Sequence, residues 1–130
     1  MAVTIDGSAN TVTADATLTT KLTTASGSAP SYSAKAWVNF NGTGTVAIRE
    51  SGNVSSITDG GVGLYGINFT TAMEDVNYGA NATASRSDVS TQLESICSFY
   101  SYAVGSVSLI TQGGTGIDVD TQFVNVSIFR

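Results

Sequence analysis

The stretch that decides the fold is Ala36-Trp37-Val38-Asn39-Phe40-Asn41-Gly42-Thr43-Gly44-Thr45-Val46-Ala47-Ile48-Arg49. Two runs rich in β-branched and aromatic residues flank the Asn41-Gly42 pair, and such runs favour β-strands. Because Asn-Gly readily adopts the positive φ angles of tight hairpin turns, the stretch predicts two antiparallel strands, 36–40 and 45–49.

The same alternation of short apolar runs and turn residues continues along the chain. It predicts six further strands, at 54–58, 64–70, 76–84, 96–102, 104–111 and 121–129. Seven or eight strands at a spacing of about 10 residues indicate an all-β protein, an antiparallel β-sandwich of jelly-roll-like type. The polar residues 86–93 are expected to form a loop, with a helix over 88–96 as the alternative.

The N-terminal 34 residues differ in composition from the rest of the chain. Residues 1–24 are rich in Thr and hold no aromatic residue, and Val12, Ala14, Ala16 and Leu18 alternate with polar residues. This period of two predicts an extended strand, but the segment has too few large apolar groups for a core of its own. Residues 25–31 are small and predict a linker. We therefore expect an extended arm over 1–34, used for attachment or subunit exchange, and a β-sandwich module over 35–130.

Composition excludes several classes of function. The 130 residues carry a net charge of −5, include no His and include one Cys. Imidazole catalysis, a Cys/His zinc site and an internal disulfide are therefore excluded. The negative charge argues against nucleic acid and anionic membranes as partners. The N-terminal residues lack the basic and apolar regions of a signal peptide, so we expect synthesis in a cytoplasm.

Few residues carry the patterns that catalysis or metal binding require. Cys97 lies in an apolar strand with no basic neighbour in sequence, which predicts a buried, inert thiol. Asp118 and Asp120 share a strand face and follow the glycine-rich residues 113–116, whose carbonyl groups could complete a calcium site. Two solvated charges beside a simple turn is the favoured alternative. Glu74 and Asp75 are expected to point to opposite faces.

These observations predict a protein that is not an enzyme, with no catalytic residue, no metal and no cofactor. A small carbohydrate-active enzyme using Asp118 and Asp120 is the weaker alternative. Five Asn-x-Ser/Thr sequons are expected by chance in so Ser/Thr-rich a chain; they lie at Asn41, Asn53, Asn68, Asn81 and Asn125. Tyr100 and Tyr102 share a face of their predicted strand and are the candidate receptor contacts, although packing against another subunit explains them equally.

Residues 35–49 resemble a segment of tailed-bacteriophage tail-fibre and virion-surface proteins. The resemblance continues through 53–59 and 65–73 and resumes at 124–130, while residues 80–120 diverge. It implies a homotrimeric virion protein, a short tail fibre or receptor-binding component for host-cell attachment.

In that setting the arm, residues 1–34, contacts other virion proteins, and a host-surface glycan is the expected ligand. The loops 84–95 and 112–118 are where binding differences are expected. A capsid decoration (cement) protein that stabilises the phage head is the alternative.

Overall fold

The computed structural model describes residues 4–6, 11–13, 34–85 and 96–130. These residues belong to two compact units, Met1–Ser33 and Ala34–Arg130. In the first unit, strands β1 (Thr4–Asp6) and β2 (Thr11–Thr13) pair antiparallel. The rest of the predicted arm, including the alternating positions after residue 13 and the linker at 25–31, lies outside the described residues.

The second unit contains eight strands in two antiparallel sheets. The strands are β3 (Ala36–Asn41), β4 (Ala47–Gly52), β5 (Val54–Gly61), β6 (Leu64–Phe69), β7 (Gly79–Ser85), β8 (Ile96–Ala103), β9 (Ser106–Gln112) and β10 (Phe123–Phe129). Sheet I has the order β4-β3-β10-β7, and sheet II has the order β5-β6-β9-β8. The described residues contain no helix. The all-β sandwich predicted from the sequence is confirmed.

The core lies between the two sheets and follows the period of two in the sequence. Alternate residues of the central strands point inward and are buried; they are Val38 and Phe40 of β3, Tyr65 and Ile67 of β6, Val107 and Leu109 of β9, and Val124, Val126 and Ile128 of β10. The rings of Phe40 and Tyr65 meet edge to face at 5.1 Å and join the sheets. Burial of each such side chain contributes about 1.5–3 kcal/mol.

Three of the seven connections are hairpins within one sheet, and the other four cross between the sheets. The tightest crossing is at Asn53, the single residue between β4 and β5, which has a φ of 56°. Its side-chain amide donates to the carbonyl groups of Lys35 and Thr71, each at 3.0 Å, and its Oδ1 accepts from the Thr71 N–H at 2.7 Å. The side chain thus holds the corner in an otherwise unfavourable backbone conformation.

The turn between β3 and β4 differs from the predicted Asn-Gly hairpin. The positive φ of 61° is at Gly44, and the Asn41 side chain organises the loop by contacting the carbonyl groups of Thr43 and Thr45. Gly42 is required for another reason. A Cβ there would lie 2.5 Å from the Tyr65 hydroxyl oxygen, so the site has no room for a side chain.

Strand β7 begins at residue 79 and not at 76. The predicted strand start at 76–78 is an irregular segment, in which Val76 is exposed and the Asn77 carbonyl accepts from the Arg130 guanidinium at 3.2 Å. Strand β10 begins at 123, two residues after the predicted start. Its predicted faces are confirmed, because the three apolar residues at alternate positions face the core while Phe129 points outward.

Candidate binding surface

Tyr100 and Tyr102 lie on β8, an edge strand of sheet II. The register of β8 against β9 shifts between Phe99 and Ser101, which places a β-bulge at Tyr100. Phe99 pairs with Leu109 and Tyr102 pairs with Val107, and both partners face the core. The bulge therefore interrupts the alternation of faces on which the sequence argument relied.

Tyr102 is anchored in an aromatic cluster at the inner edge of the sandwich. Its ring lies 5.3 Å from that of Tyr78 and 6.1 Å from that of Phe99, and Tyr78 also meets Phe69 at 5.9 Å. Tyr100 makes no ring contact of this kind among the described residues and is 58% exposed. The expectation that the two tyrosines share one face is wrong, because the bulge separates them. Tyr102 is nevertheless 41% exposed. A receptor contact at Tyr100 and Tyr102 stays a prediction.

Tyr78 holds this cluster in place. Its hydroxyl lies 2.9 Å from the Ala103 carbonyl oxygen and 3.0 Å from that of Ser106, at the end of the β8–β9 hairpin. Burial raises the pKa of Tyr78 above its usual range, and the neighbouring Tyr102 adds to the effect. The surface around Tyr102 is therefore a preorganised part of the fold.

The four edge strands of sheets I and II differ in charge. Strand β4 carries Arg49 and Glu50, and β5 carries Asp59 together with two register irregularities. Strands β7 and β8, which contact one another, carry no charged residue. Strand β7 pairs with β10 over all seven of its residues with no register shift, whereas β8 has the bulge. Among the described strands, β7 is thus an edge without the charges, prolines or bulges that usually block pairing with another chain.

The two aspartates considered for calcium or catalysis have separate structural partners. Asp120 accepts the Gly63 N–H at 2.8 Å and the Tyr65 hydroxyl at 3.1 Å. Asp118 accepts the Gln112 side-chain amide at 2.9 Å. Among residues 34–85 and 96–130, no three acidic or Cys side chains come together in a way that could hold a metal ion. Asp120 thus connects its segment to the β5–β6 hairpin, whereas Asp118 closes its own loop onto the end of β9.

The glycine-rich residues 113–116 form the predicted turn. The Gly113 N–H donates to the Ile117 carbonyl and the Gly116 N–H to the Gly113 carbonyl, each at 2.8 Å. Gly116 has a φ of 76°, which favours glycine. The carbonyl groups of Ile117 and Gly113 thus accept hydrogen bonds within the loop, and Ile117, where the turn closes, is 66% exposed. Residues 86–95, most of the other loop in which binding differences are expected, lie outside the described residues.

Glu74 and Asp75 do not point apart. Both contact Nη2 of Arg130, at 3.4 Å and 2.6 Å, because the irregular backbone before β7 turns both side chains toward the end of β10. Only an extended backbone would send the two side chains to opposite faces, and this segment is not extended.

Cys97 pairs with the buried Thr111 and packs against the core. Burial raises the pKa of its thiol, which lowers the thiolate fraction on which reactivity depends.

Several sequon asparagines are engaged in the fold. The amide of Asn53 holds the β4–β5 corner, Asn41 orders its own loop, and Asn68 donates to the hydroxyls of Ser56 and Thr58. Glycosylation at these amides would break the contacts that they make.

In the part of the chain that the structure describes, no helix has the length and apolar character needed to cross a membrane.

Sequence reasoning gave no role to the outer face of sheet I. The alternation in β3 sends Trp37 and Asn39 outward, and this alternation is visible in the sequence. Their neighbours across the sheet are Gly52 of β4 and Asn125 of β10. These neighbours depend on strand pairing, so they are not visible in the sequence.

Comparisons with protein-family models, with curated proteins and with solved structures each found no match.

Proposed function

We propose that this chain is a bacteriophage virion structural protein, a short tail fibre or receptor-binding component that forms a homotrimer and attaches the particle to its host cell. The proposal starts from the resemblance of residues 35–49 and 124–130 to virion-surface proteins. Residues 1–34 attach the module to other virion proteins, and a host-surface glycan is the ligand. The protein acts by binding and carries out no catalysis.

The structural observation that supports assembly is the uncharged edge formed by β7 and β8. Open strand edges pair readily with other chains, and monomeric proteins usually block them. Strands β4 and β5 carry charges of the blocking kind, and β7 carries none. A neighbouring subunit that covers β7 accounts for this difference between the edges.

Light scattering tests the oligomer directly. A homotrimer of the 13.3 kDa chain has a mass of about 40 kDa. Thr83→Lys places a charge on β7, and we expect it to weaken the assembly. The matched control is Ala47→Lys, on the already charged β4, which is expected to leave the mass unchanged. A monomer of the unmodified chain at micromolar concentration would contradict the proposal.

The position of the protein on a particle separates the two virion roles. Labelled antibody and cryo-electron microscopy are expected to place it on the tail or baseplate. The alternative of a capsid decoration protein rests on the same open edge, because a cement protein must also pair with its neighbours. Label over the head, together with loss of capsid stability when the protein is missing, would favour that alternative.

A further inference from the structure

The outer face of sheet I carries an exposed aromatic platform. Trp37 pairs with Gly52 of β4, and a Cβ at Gly52 would collide with the indole Nε1 and lie 2.9 Å from Cδ1. The indole therefore lies against the glycine. Trp37 nevertheless remains 40% exposed. An indole whose position is fixed against Gly52 and which is still partly exposed offers an aromatic surface on which another ring can stack.

A row of ordered amides lies beside this platform, one step along the same strands. Asn39 of β3 donates through Nδ2 to Oδ1 of Asn125 on β10 at 2.5 Å. Arg49 donates to Oδ1 of Asn39 at 3.3 Å, and its guanidinium is itself held by the Gln122 carbonyl at 2.7 Å and by the Phe123 ring, with 4.3 Å to the centroid. Both amide orientations are thus set by the protein.

This arrangement leaves a donor group available on the exposed residue Asn125. The Oδ1 atoms of Asn39 and Asn125 are both acceptors within the row, and no described residue accepts a hydrogen bond from Nδ2 of Asn125. Residues two apart on a strand are separated by about 7 Å, so a ring stacked on Trp37 brings its substituents over the Asn39–Asn125 row. Ordered donors next to an aromatic surface are the elements of a small-molecule site.

The chemistry of this face favours a neutral sugar. The C–H groups of one pyranose face suit the negative face of an aromatic ring, while the hydroxyl groups at its rim suit amides. Glu50 lies opposite Asn39 in the register of β3 and β4, at the end of the row, and the chain carries a net charge of −5. Both disfavour an acidic glycan.

We propose that the outer face of sheet I binds a neutral pyranose glycan, with one sugar ring stacked on Trp37 and its hydroxyl groups hydrogen-bonded to Asn39 and Asn125. This inference rests on the proposed role in host attachment, for which it names the surface and the ligand class. It places the ligand on a different sheet from Tyr100.

The test uses Trp37 as its own reporter, because the chain contains a single tryptophan. Cellotetraose and chitotetraose are titrated into the full-length protein while the fluorescence is recorded, with tetragalacturonate as the acidic comparison. We expect a saturable spectral change with at least one neutral probe and a weaker or absent change with the acidic one. No change with either neutral probe up to about 10 mM would overturn the proposal.

Variants locate the binding. Asn125→Ala keeps the reporter and is expected to weaken binding about tenfold, the effect of one hydrogen bond to a polar ligand. Tyr100→Ala on sheet II is the matched control and is expected to leave the affinity unchanged. Thermal unfolding checks that both variants fold. The reverse pattern, weakening by Tyr100→Ala alone, would overturn the proposal in favour of the β8 edge.

A second copy of the chain is the competing occupant of this face. Thermal unfolding first checks that the Trp37→Ala variant is folded. If light scattering then shows that this variant is a monomer, Trp37 belongs to a subunit interface and the glycan proposal fails. If the mass is unchanged and calorimetry shows loss of tetrasaccharide binding, the proposal is supported. Neither result bears on where the protein sits on a virion, so failure here is distinguishable from failure of the attachment role.

Discussion

The Tyr65 hydroxyl makes the stability of the sandwich depend on alkaline pH. Tyr65 is 1% exposed and donates toward the Gly42 carbonyl oxygen at 2.9 Å and the Asp120 carboxylate at 3.1 Å. Burial, followed by the charge and the hydrogen bond of Asp120, raises the pKa of Tyr65 from 10.0 to about 12. Between these two values the unfolded chain loses the phenolic proton while the folded protein keeps it.

The sign and size of the effect follow from proton linkage. Since the folded state binds more protons in this range, the free energy of unfolding falls as pH rises. The contribution of Tyr65 is fully present below pH 10, decreases by about 1.4 kcal/mol by pH 11, and decreases by a little under ~3 kcal/mol once both states are ionised. The raised pKa of Tyr78 acts in the same direction.

Urea unfolding of the unmodified chain and of Tyr65→Phe, followed by circular dichroism from about pH 8 to pH 11, measures this contribution. At the lower pH the variant is expected to be less stable by about 1–2 kcal/mol, because the Gly42 carbonyl and Asp120 lose a donor. At the higher pH that difference is expected to fall below about 1 kcal/mol, since the variant has no phenol to titrate at this site. Tyr100→Phe controls for loss of an exposed phenol. Parallel pH profiles of the unmodified chain and Tyr65→Phe would refute the reasoning.

Five further substitutions at three places in the fold test local features, each by chemical denaturation. Gly42→Ala is expected to lower the free energy of unfolding by about 2–4 kcal/mol, because its Cβ would collide with Tyr65. Gly44 has a φ of 61° and open space around it, so Gly44→Ala is expected to cost about 1 kcal/mol. Equal losses would contradict the steric argument. Asn53→Ala is expected to destabilise by about 1 kcal/mol more than Asn53→Gly, since glycine adopts the φ of 56° without the strain that alanine would have there. A larger loss for Asn53→Gly would contradict this reasoning. Arg130→Ala removes exposed contacts with Glu74 and Asp75 and is expected to lower the free energy of unfolding by less than about 1 kcal/mol. This loss is expected to shrink in high salt. A larger loss that does not depend on salt would show that Arg130 has another role.

Strand identity and the inward face of each strand were predictable because they depend on neighbours in sequence. Tyr65, Ile67 and Phe69 alternate with small or polar residues, and so do Val124, Val126 and Ile128; both sets point into the core. The pattern requires only the period of two of an extended chain. It failed at Tyr100 and Tyr102, since one extra residue in β8 reverses the faces and the residues themselves carry no signal of a bulge.

The contacts of the candidate site residues were less predictable from the sequence than the strands and their inward faces. Asp118 and Asp120 are close in sequence, yet Asp118 accepts from Gln112 at the end of β9, whereas Asp120 meets Tyr65 across 55 residues. Gly42 looked like a turn glycine, but the approach of Tyr65 is what excludes a side chain there. These roles depend on which distant residue folds against the position.

The sequence by itself determined that this chain is an acidic, histidine-free β protein whose alternating apolar residues require two sheets facing each other. Only the tertiary structure decided which strands lie at the edges, that β7 carries no protecting charge, and that Trp37 lies on Gly52 beside an ordered pair of asparagines. The physical reason is the range of the interactions. Burial patterns come from successive residues, whereas edges, bulges and surface platforms come from strands that are far apart in the chain.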